Sequence, residues 1–405
     1  MVDVNTAFIL IATIIFVGFL SAKGFEKYKI PDVVILMLLG LLIGPVLGVL
    51  EPETLNALRT VSPFFGTLVL VILLIEGGMT LDYKKVLKEA APATLFTFAA
   101  FIASVLLVAT VAMLFGWSLL HGLLLGAILG GNSSSVVMSL IRRINIKEET
   151  RTILSLESSI NDSLVIITSI FLIGLIANGG ASIGQAGQDF FGAFTISALF
   201  AVVAGVVWIK ALNIIKTPRY NYLLTLAAAL VLYVFTEGVR SNGAFAALVF
   251  GIVLGNSKLI AEKLKIVEKT EVQWNLQLAQ EEIAFFVRTF FFAFLGIVLD
   301  LSFVTFTTVA LAILVILSKA AARYGAASLL ECFNTETLKD RNVLSWMLPN
   351  GLAAAAMASY PATSGITFGG ENVFLQVAFL VIFLSNIAAS LAIFRIERSK
   401  TVKEE

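Results

Sequence analysis

The stretch Glu157-Ser158-Ser159-Ile160-Asn161-Asp162 sits inside an otherwise apolar run from Thr152 to Leu175. At helical spacing Ser155, Ser158, Ser159 and Asp162 fall at i, i+3, i+4 and i+7, a polar stripe on a helix whose other faces are Ile, Leu and Val. A helix entering a membrane near Thr152 and rising about 1.5 Å per residue carries Asp162 roughly 15 Å deep, the middle of a hydrocarbon core about 30 Å thick. A charged Asp there costs roughly 2.5 to 3.5 kcal/mol on insertion scales, so such a carboxylate points first to an ion or proton path. The bland alternative is a protonated, hydrogen-bonded structural Asp. The neighbouring serines and Asn161 weigh against it.

The whole chain has the composition this reading needs. Of its 405 residues 59% are hydrophobic and 14% charged, against about 25% charged in an ordinary soluble domain. That composition predicts an all-α polytopic membrane protein. A net charge of +1 gives no field for nucleic acid, so no nucleic-acid partner is expected and membrane lipid is. The single Cys332 excludes an intramolecular disulfide, and with one histidine, His121, no His/Cys metal cluster forms. Thr6 to Leu20 follows the acidic Asp3 and lacks a small-residue cleavage site, so it reads as a retained span.

Apolar runs broken by charged or Gly/Pro-rich segments give about thirteen candidate spans. They lie near 5–21, 33–50, 62–79, 91–114, 121–139, 152–175, 190–211, 221–237, 242–256, 280–299, 303–325, 343–360 and 372–394, of which 242–256 is short. Basic residues follow the odd-numbered spans: Lys23, Lys27 and Lys29; Lys84, Lys85 and Lys88; Arg142, Arg143, Lys147 and Arg151; Lys210, Lys216 and Arg219; Lys258, Lys263, Lys265 and Lys269; Arg323, Lys339 and Arg341; and at the end Arg395, Arg398, Lys400 and Lys403. The intervening loops are basic-poor, so the N-terminus is expected outside and the C-terminus in the cytoplasm of a cell whose plasma membrane the chain crosses.

Two spans carry breaks. The fifth reads GAILGGNSSSVV, with Gly130-Gly131-Asn132-Ser133-Ser134-Ser135 at about half depth; the twelfth reads WMLPNGLAAAA, interrupted by Pro349-Asn350-Gly351. Gly and Ser also serve simply for close packing, and a Pro can do no more than kink a helix. The two breaks run in opposite directions and each precedes a loop and a long apolar helix. That pattern predicts an inverted repeat whose interrupted helices cross at the midplane around a substrate site. Irregular backbone at that depth needs a protein or aqueous surround.

Few other charges fall within spans. Glu76, before Gly77-Gly78, either snorkels to the interface or lines a funnel leading to the site. Arg288, and Lys319 and Arg323 at i, i+4, are candidate partners for Glu157 in a structural ion pair. His121 lies at the outer interface and reads as incidental.

With these residues placed, the chain resembles the monovalent cation/proton antiporters of the sodium/proton exchanger type over essentially its whole length. ESSINDS resembles that family's E-x-x-x-N-D signature, GAILGGNSSSVV its G-A-x-x-S-A-T-D-P-x-V-V segment and LPNGLAAAAMA its P-R-G-L-A-A-A segment; RTFFFAFLGIVLD at 288–300 and IEGGMTLD at 75–82 also look like family stretches. The resemblance implies one transporter unit over 1–405, with core helices over 91–175 and 303–397, dimerisation or scaffold helices over 1–90 and 190–299, and a homodimer. It implies that Asp162 binds a cation or protons, that Asn161 supports it, that Ser158 ligates and that Glu157 anchors an ion pair. Two departures stand out: the family's Thr-Asp pair falls on Asn132-Ser133, and its break arginine on Asn350. The serine-rich GGNSSS also resembles the potassium/proton branch, so Na+ and K+ both remain as cargo.

The expected activity is secondary antiport by alternating access, without an enzyme activity or a cofactor beyond the transported ions. A desolvated carboxylate titrates nearer ambient pH, so a proton and a cation would displace each other at Asp162, with Ser158, Asn132, Ser133 and unwound carbonyls as oxygens for Na+ or K+. With one carboxylate on the stripe, exchange is expected to be electroneutral. The alternatives are a channel or uniporter and a transport-inactive or regulatory homologue. An intramembrane aspartyl protease would need a second opposed Asp, and a metalloprotease an H-E-x-x-H motif.

Overall fold

A computed structural model of the chain describes residues 4–28, 31–80, 91–141, 144, 146–177, 183–214, 220–263, 270–331, 340–366 and 373–404. Cys332 and part of the loop charge pattern, including Lys84, Lys85, Lys88, Arg142, Arg143, Lys216, Arg219, Lys265, Lys269 and Lys339, lie outside them.

Apolar sequence in lipid must pair every backbone N–H and C=O within itself, and the described residues do so as helices, with no strand among them. In chain order these are α1 (Val4–Tyr28), α2 (Asp32–Leu41, running into a π turn at Leu42–Val46), α3 (Pro52–Thr80), α4 (Ala91–Leu114), α5 (Leu119–Gly130), α6 (Ser134–Ile141), α7 (Glu148–Ala177) and α8 (Ile183–Ile214). They continue as α9 (Asn221–Gly238), α10 (Gly243–Gly255), α11 (Ser257–Lys263), α12 (Thr270–Val298), α13 (Phe306–Glu331), α14 (Arg341–Trp346), α15 (Leu352–Thr363) and α16 (Val373–Glu404).

Among the described residues, 7 helices are long and apolar enough to cross a membrane unaided, or 8 if α3, bent by 44° between Ser62 and Phe64, counts as one span. This is a multi-pass membrane protein. Four of the thirteen expected runs differ from single long spans for physical reasons. The run at 121–139 is two helices, α5 and α6, and that at 343–360 is α14 and α15, so neither is one continuous span. The runs at 33–50 and 242–256 form shorter apolar helices.

The chain divides into two compact units, Met1–Gly66 with Ala90–Ala177 and Thr289–Glu405, and Thr67–Glu89 with Asn178–Arg288. In the first, α4 packs on α13, α5 and α7; α7 also meets α5, α6 and α15; and α16 meets α13, α14, α15 and α2. Gly122, Gly126 and Gly130 recur every fourth residue on α5. A Cβ at Gly122 would lie 3.0 Å from the Ala109 carbonyl oxygen, and one at Gly126 2.9 Å from the Val105 Cα, so α5 lies directly against the α4 backbone. Ile14, Ile43, Leu50, Ala293 and Ile297 form a core where α1, α2 and the end of α12 converge. Arg59 closes that end of α12, donating to the Val298 and Leu299 carbonyls at 3.2 and 3.3 Å. In the second unit α8, α9 and α10 pack together, with Leu212 and Tyr222 buried among Met79, Trp208 and Ile283.

Candidate functional site

The two sequence breaks are physically one place. α5 ends at Gly130, Gly131 is extended (φ −85, ψ 174), and the helix resumes at Ser134. The second break runs from Met347 to Gly351 between α14 and α15. The Ser133 N–H donates to the Pro349 carbonyl at 2.7 Å, joining the breaks directly. A Cβ on Gly351 would run into the Ser133 side chain, so the contact admits only glycine there without a shift. Asn350 Nδ2 donates to the Leu129 and Gly131 carbonyls at 2.9 and 3.1 Å.

Carbonyls left over where a helix stops carry the negative end of its dipole and need donors. Lys319 supplies them from α13. Its Nζ, wholly buried, donates to Gly131 O at 3.0 Å, Leu348 O at 3.3 Å and Asn350 Oδ1 at 2.6 Å. Three acceptors match the three N–H groups of an ammonium. The sequence placed Lys319 among candidate partners of Glu157; in the structure it serves the crossing of the broken helices.

Glu157 is fully buried and paired with Arg323, one helical turn beyond Lys319. The guanidinium grips it in a fork, NH1 on Oε1 and NH2 on Oε2 at 3.0 Å, while Nε donates to Leu344 O at 2.8 Å. Its Cζ lies 5.2 Å from the Phe96 ring centroid. Asn132 and Asn161 each donate Nδ2 to Glu157 Oε1 at 2.9 Å. The carboxylate is thus spent on four donors. Arg288, the third candidate partner, belongs to the second unit, as does Glu76.

Asp162, one helical turn past Ser158, is only half-buried and accepts from Ser134 Oγ at 2.8 Å. Ser158 is buried with its hydroxyl turned back to Ser155 O at 3.1 Å. Asn161 directs its amide nitrogen to Glu157. Asn132 Oδ1 and Asn161 Oδ1 are buried and have no hydrogen-bond partner among the described residues. The unwound segment at 131–133 lies along α7, where a Cβ on Gly131 would meet Asn161 O at 3.4 Å. α7 and the first break thus carry a carboxylate, serine hydroxyls and amide oxygens, atoms of the kind that a hard cation takes as ligands.

The ends of the broken helices are fixed as well. Arg151 NH1 donates to Ile141 O at 3.0 Å, closing α6, and Asp340 Oδ2 accepts from Lys147 N at 2.9 Å where α7 begins. At the start of α5, Ser118 Oγ lies 2.7 Å from His121 Nδ1, and the imidazole stacks on Phe374 with centroids 6.4 Å apart. Sequence reasoning missed Ser385 and Asn386 on α16, which hold the Asn350 backbone. The adjacent polar pair Ser385-Asn386 in a largely apolar run was the available signal.

Two interrupted helices meeting back to back, with a buried ion pair and a separate half-buried carboxylate beside the crossing, define a secondary-transporter architecture built on discontinuous helices. The chain belongs to the family described as sodium/hydrogen exchanger, transmembrane, which matches residues 10–397. It is 26% identical over 393 residues to the K(+)/H(+) antiporter NhaP2 of Shewanella oneidensis, covering 95% of this chain and 65% of that one. It thus spans just under two thirds of the length of that relative. It is also 26% identical over 306 residues to a probable Na(+)/H(+) antiporter 2 of Methanocaldococcus jannaschii, covering 70% of this chain and 69% of the relative. The fold matches the sodium proton antiporter MjNhaP1 from the same archaeon at pH 8, with TM-score 0.76 and 22% identity over 96% of this chain and 100% of that one.

Proposed function

We propose that this protein exchanges a monovalent cation, Na+ or K+, for protons by alternating access, with Asp162 as the shared site. The observation that carries the reading is the division of labour between two carboxylates on one helix. Glu157 is buried and consumed by Arg323, Asn132 and Asn161, while Asp162 is half-buried beside Ser134 and the unwound segment. On this reading the second is the one that trades a proton for an ion. Ser134, Ser133, Ser158, Asn132 and Asn161 supply candidate oxygens for the partly dehydrated cation.

The charge inventory supports electroneutral exchange. Glu157 and Arg323 cancel, which leaves Asp162 as the carboxylate whose charge changes on binding. Binding either one proton or one monovalent cation raises it by the same single charge. The positive charge that the family pattern puts at Asn350 enters from α13 instead and bonds to the Asn350 side chain, which argues against a core disabled by its sequence departures. The relatives' printed names, one a potassium and the other a sodium exchanger, support both cargoes. We further propose a homodimer in the plasma membrane, scaffolded by 1–90 and 190–299, with the N-terminus outside and the C-terminus in the cytoplasm.

The test is a proton-gradient dye assay in proteoliposomes, adding Na+, Li+, K+ and Rb+ in turn. Dequenching by at least one cation, absent in Asp162→Asn, is expected. No response to any of them, or a fully active and folded Asp162→Asn, would overturn the assignment.

A further inference from the structure

We propose that Asn386, with Ser385 beside it on α16, is a positioning residue of the ion site, acting through the backbone of Asn350. Both side chains are wholly buried. Asn386 Nδ2 donates to the Asn350 carbonyl at 2.7 Å and to Ile382 O of its own helix at 2.8 Å. Ser385 Oγ accepts from the Asn350 N–H at 3.2 Å and donates to Ile382 O at 3.2 Å. Asn350 lies in the unwound segment, where these two backbone groups have no helical partners and need others.

What Asn350 does next gives the pair its reach. Its side chain bonds the end of α5 through Leu129 O and Gly131 O and receives the Lys319 ammonium. A single residue is therefore held by α16 through its backbone and holds α5 and α13 through its side chain. Any displacement of Asn350 passes to Gly131, directly before Asn132 and Ser133, and site geometry is sensitive to shifts below an ångström. The other half of the core has a related tie, in which Asn132 of the first break donates to Glu157 on α7.

This inference rests on the exchange reading. Its test is exchange by Asn386→Ala, Asn386→Asp and Ser385→Ala proteoliposomes, with KM and maximal rate measured across pH and folding checked by thermal shift. Asn386→Ala should raise the KM for the cation about tenfold, the equivalent of one lost hydrogen bond of ~1.4 kcal/mol, with the maximal rate changed less. Ser385→Ala should act in the same direction. Asn386→Asp is the sharper variant: only its protonated carboxyl donates to the Asn350 carbonyl, so its activity relative to wild type should be near one at acid pH and fall as pH rises. A purely space-filling role would lower the stability of Asn386→Ala and leave its KM for the cation at the wild-type value. If the alanine variant fails to fold, the aspartate variant at acid pH decides. Folded variants with wild-type KM and pH profile overturn the inference while leaving the exchange reading intact. A wild type inert to every cation overturns that reading, and this inference with it.

Discussion

Replacing Glu157 by Gln keeps the shape of the side chain and removes its charge. The native carboxylate accepts two bonds from Arg323 and one each from Asn132 and Asn161. The amide oxygen of Gln can retain part of this set. Its NH2 group would confront one of the guanidinium's own N–H groups, and Arg323, only 2% exposed, would be left with an uncompensated charge. Breaking a buried pair from one side costs about 3–5 kcal/mol, which corresponds to a fall in Tm of roughly 10 °C. The assay is thermal unfolding of purified protein in detergent, with yield as a second reading. The control is Glu157→Gln combined with Arg323→Met: removing both charges should recover much of the loss, because the penalty lies in the orphaned partner rather than in the pair's absence. If Glu157→Gln is as stable as the wild type and only its ion dependence shifts, Glu157 is a ligand or proton carrier, and the division of roles between the two carboxylates is wrong.

Other perturbations probe neighbouring parts of the core. Lys319→Met takes a donor from three acceptors at the crossing, of which Gly131 O keeps Asn350 Nδ2, and should destabilise the protein by about 2–4 kcal/mol, with Lys319→Arg less damaging; an unchanged Tm for Lys319→Met would refute its role there. Ser134→Ala removes the hydroxyl bonded to Asp162 and should move the pH profile of exchange to the alkaline side, since the ionised form loses a donor; an unmoved profile would place Ser134 outside the site. Under a diffusion potential set by potassium and valinomycin, exchange of a cation other than potassium should be indifferent to voltage, whereas each net charge moved would contribute about 2.3 kcal/mol per 100 mV.

That the chain is helical and crosses a membrane several times was legible because lipid imposes a one-dimensional constraint: apolar run length decides what can span. The two breaks were legible for the same reason, as Gly130-Gly131-Asn132-Ser133 and Pro349-Asn350-Gly351 are poor helix formers in runs where helix is otherwise compulsory. Pairing was harder to read. Arg288, Lys319 and Arg323 are equally basic and comparably deep in the sequence, and nothing in one dimension says that the Arg323 fork meets Glu157 while Lys319, one turn away, bonds the carbonyls where the broken helices stop. The direction of an amide is equally invisible: nothing in the sequence says that the Asn161 nitrogen bonds Glu157. Ser385 and Asn386 escaped because they bond backbone, which leaves no complementary side chain elsewhere in the sequence to suggest a partner.

We propose that one carboxylate, Asp162, trades one proton for one cation. It is most directly tested by calorimetric titration of NaCl or KCl into the purified protein in buffers of different ionisation enthalpy, which counts protons released per cation bound. On the alkaline side of the exchange optimum the release should be small, because the site is already ionised; at and below the optimum it should approach one proton per cation, and Asp162→Asn should abolish it. Cation binding that releases no proton at any pH, or release of two protons per cation, would contradict the account.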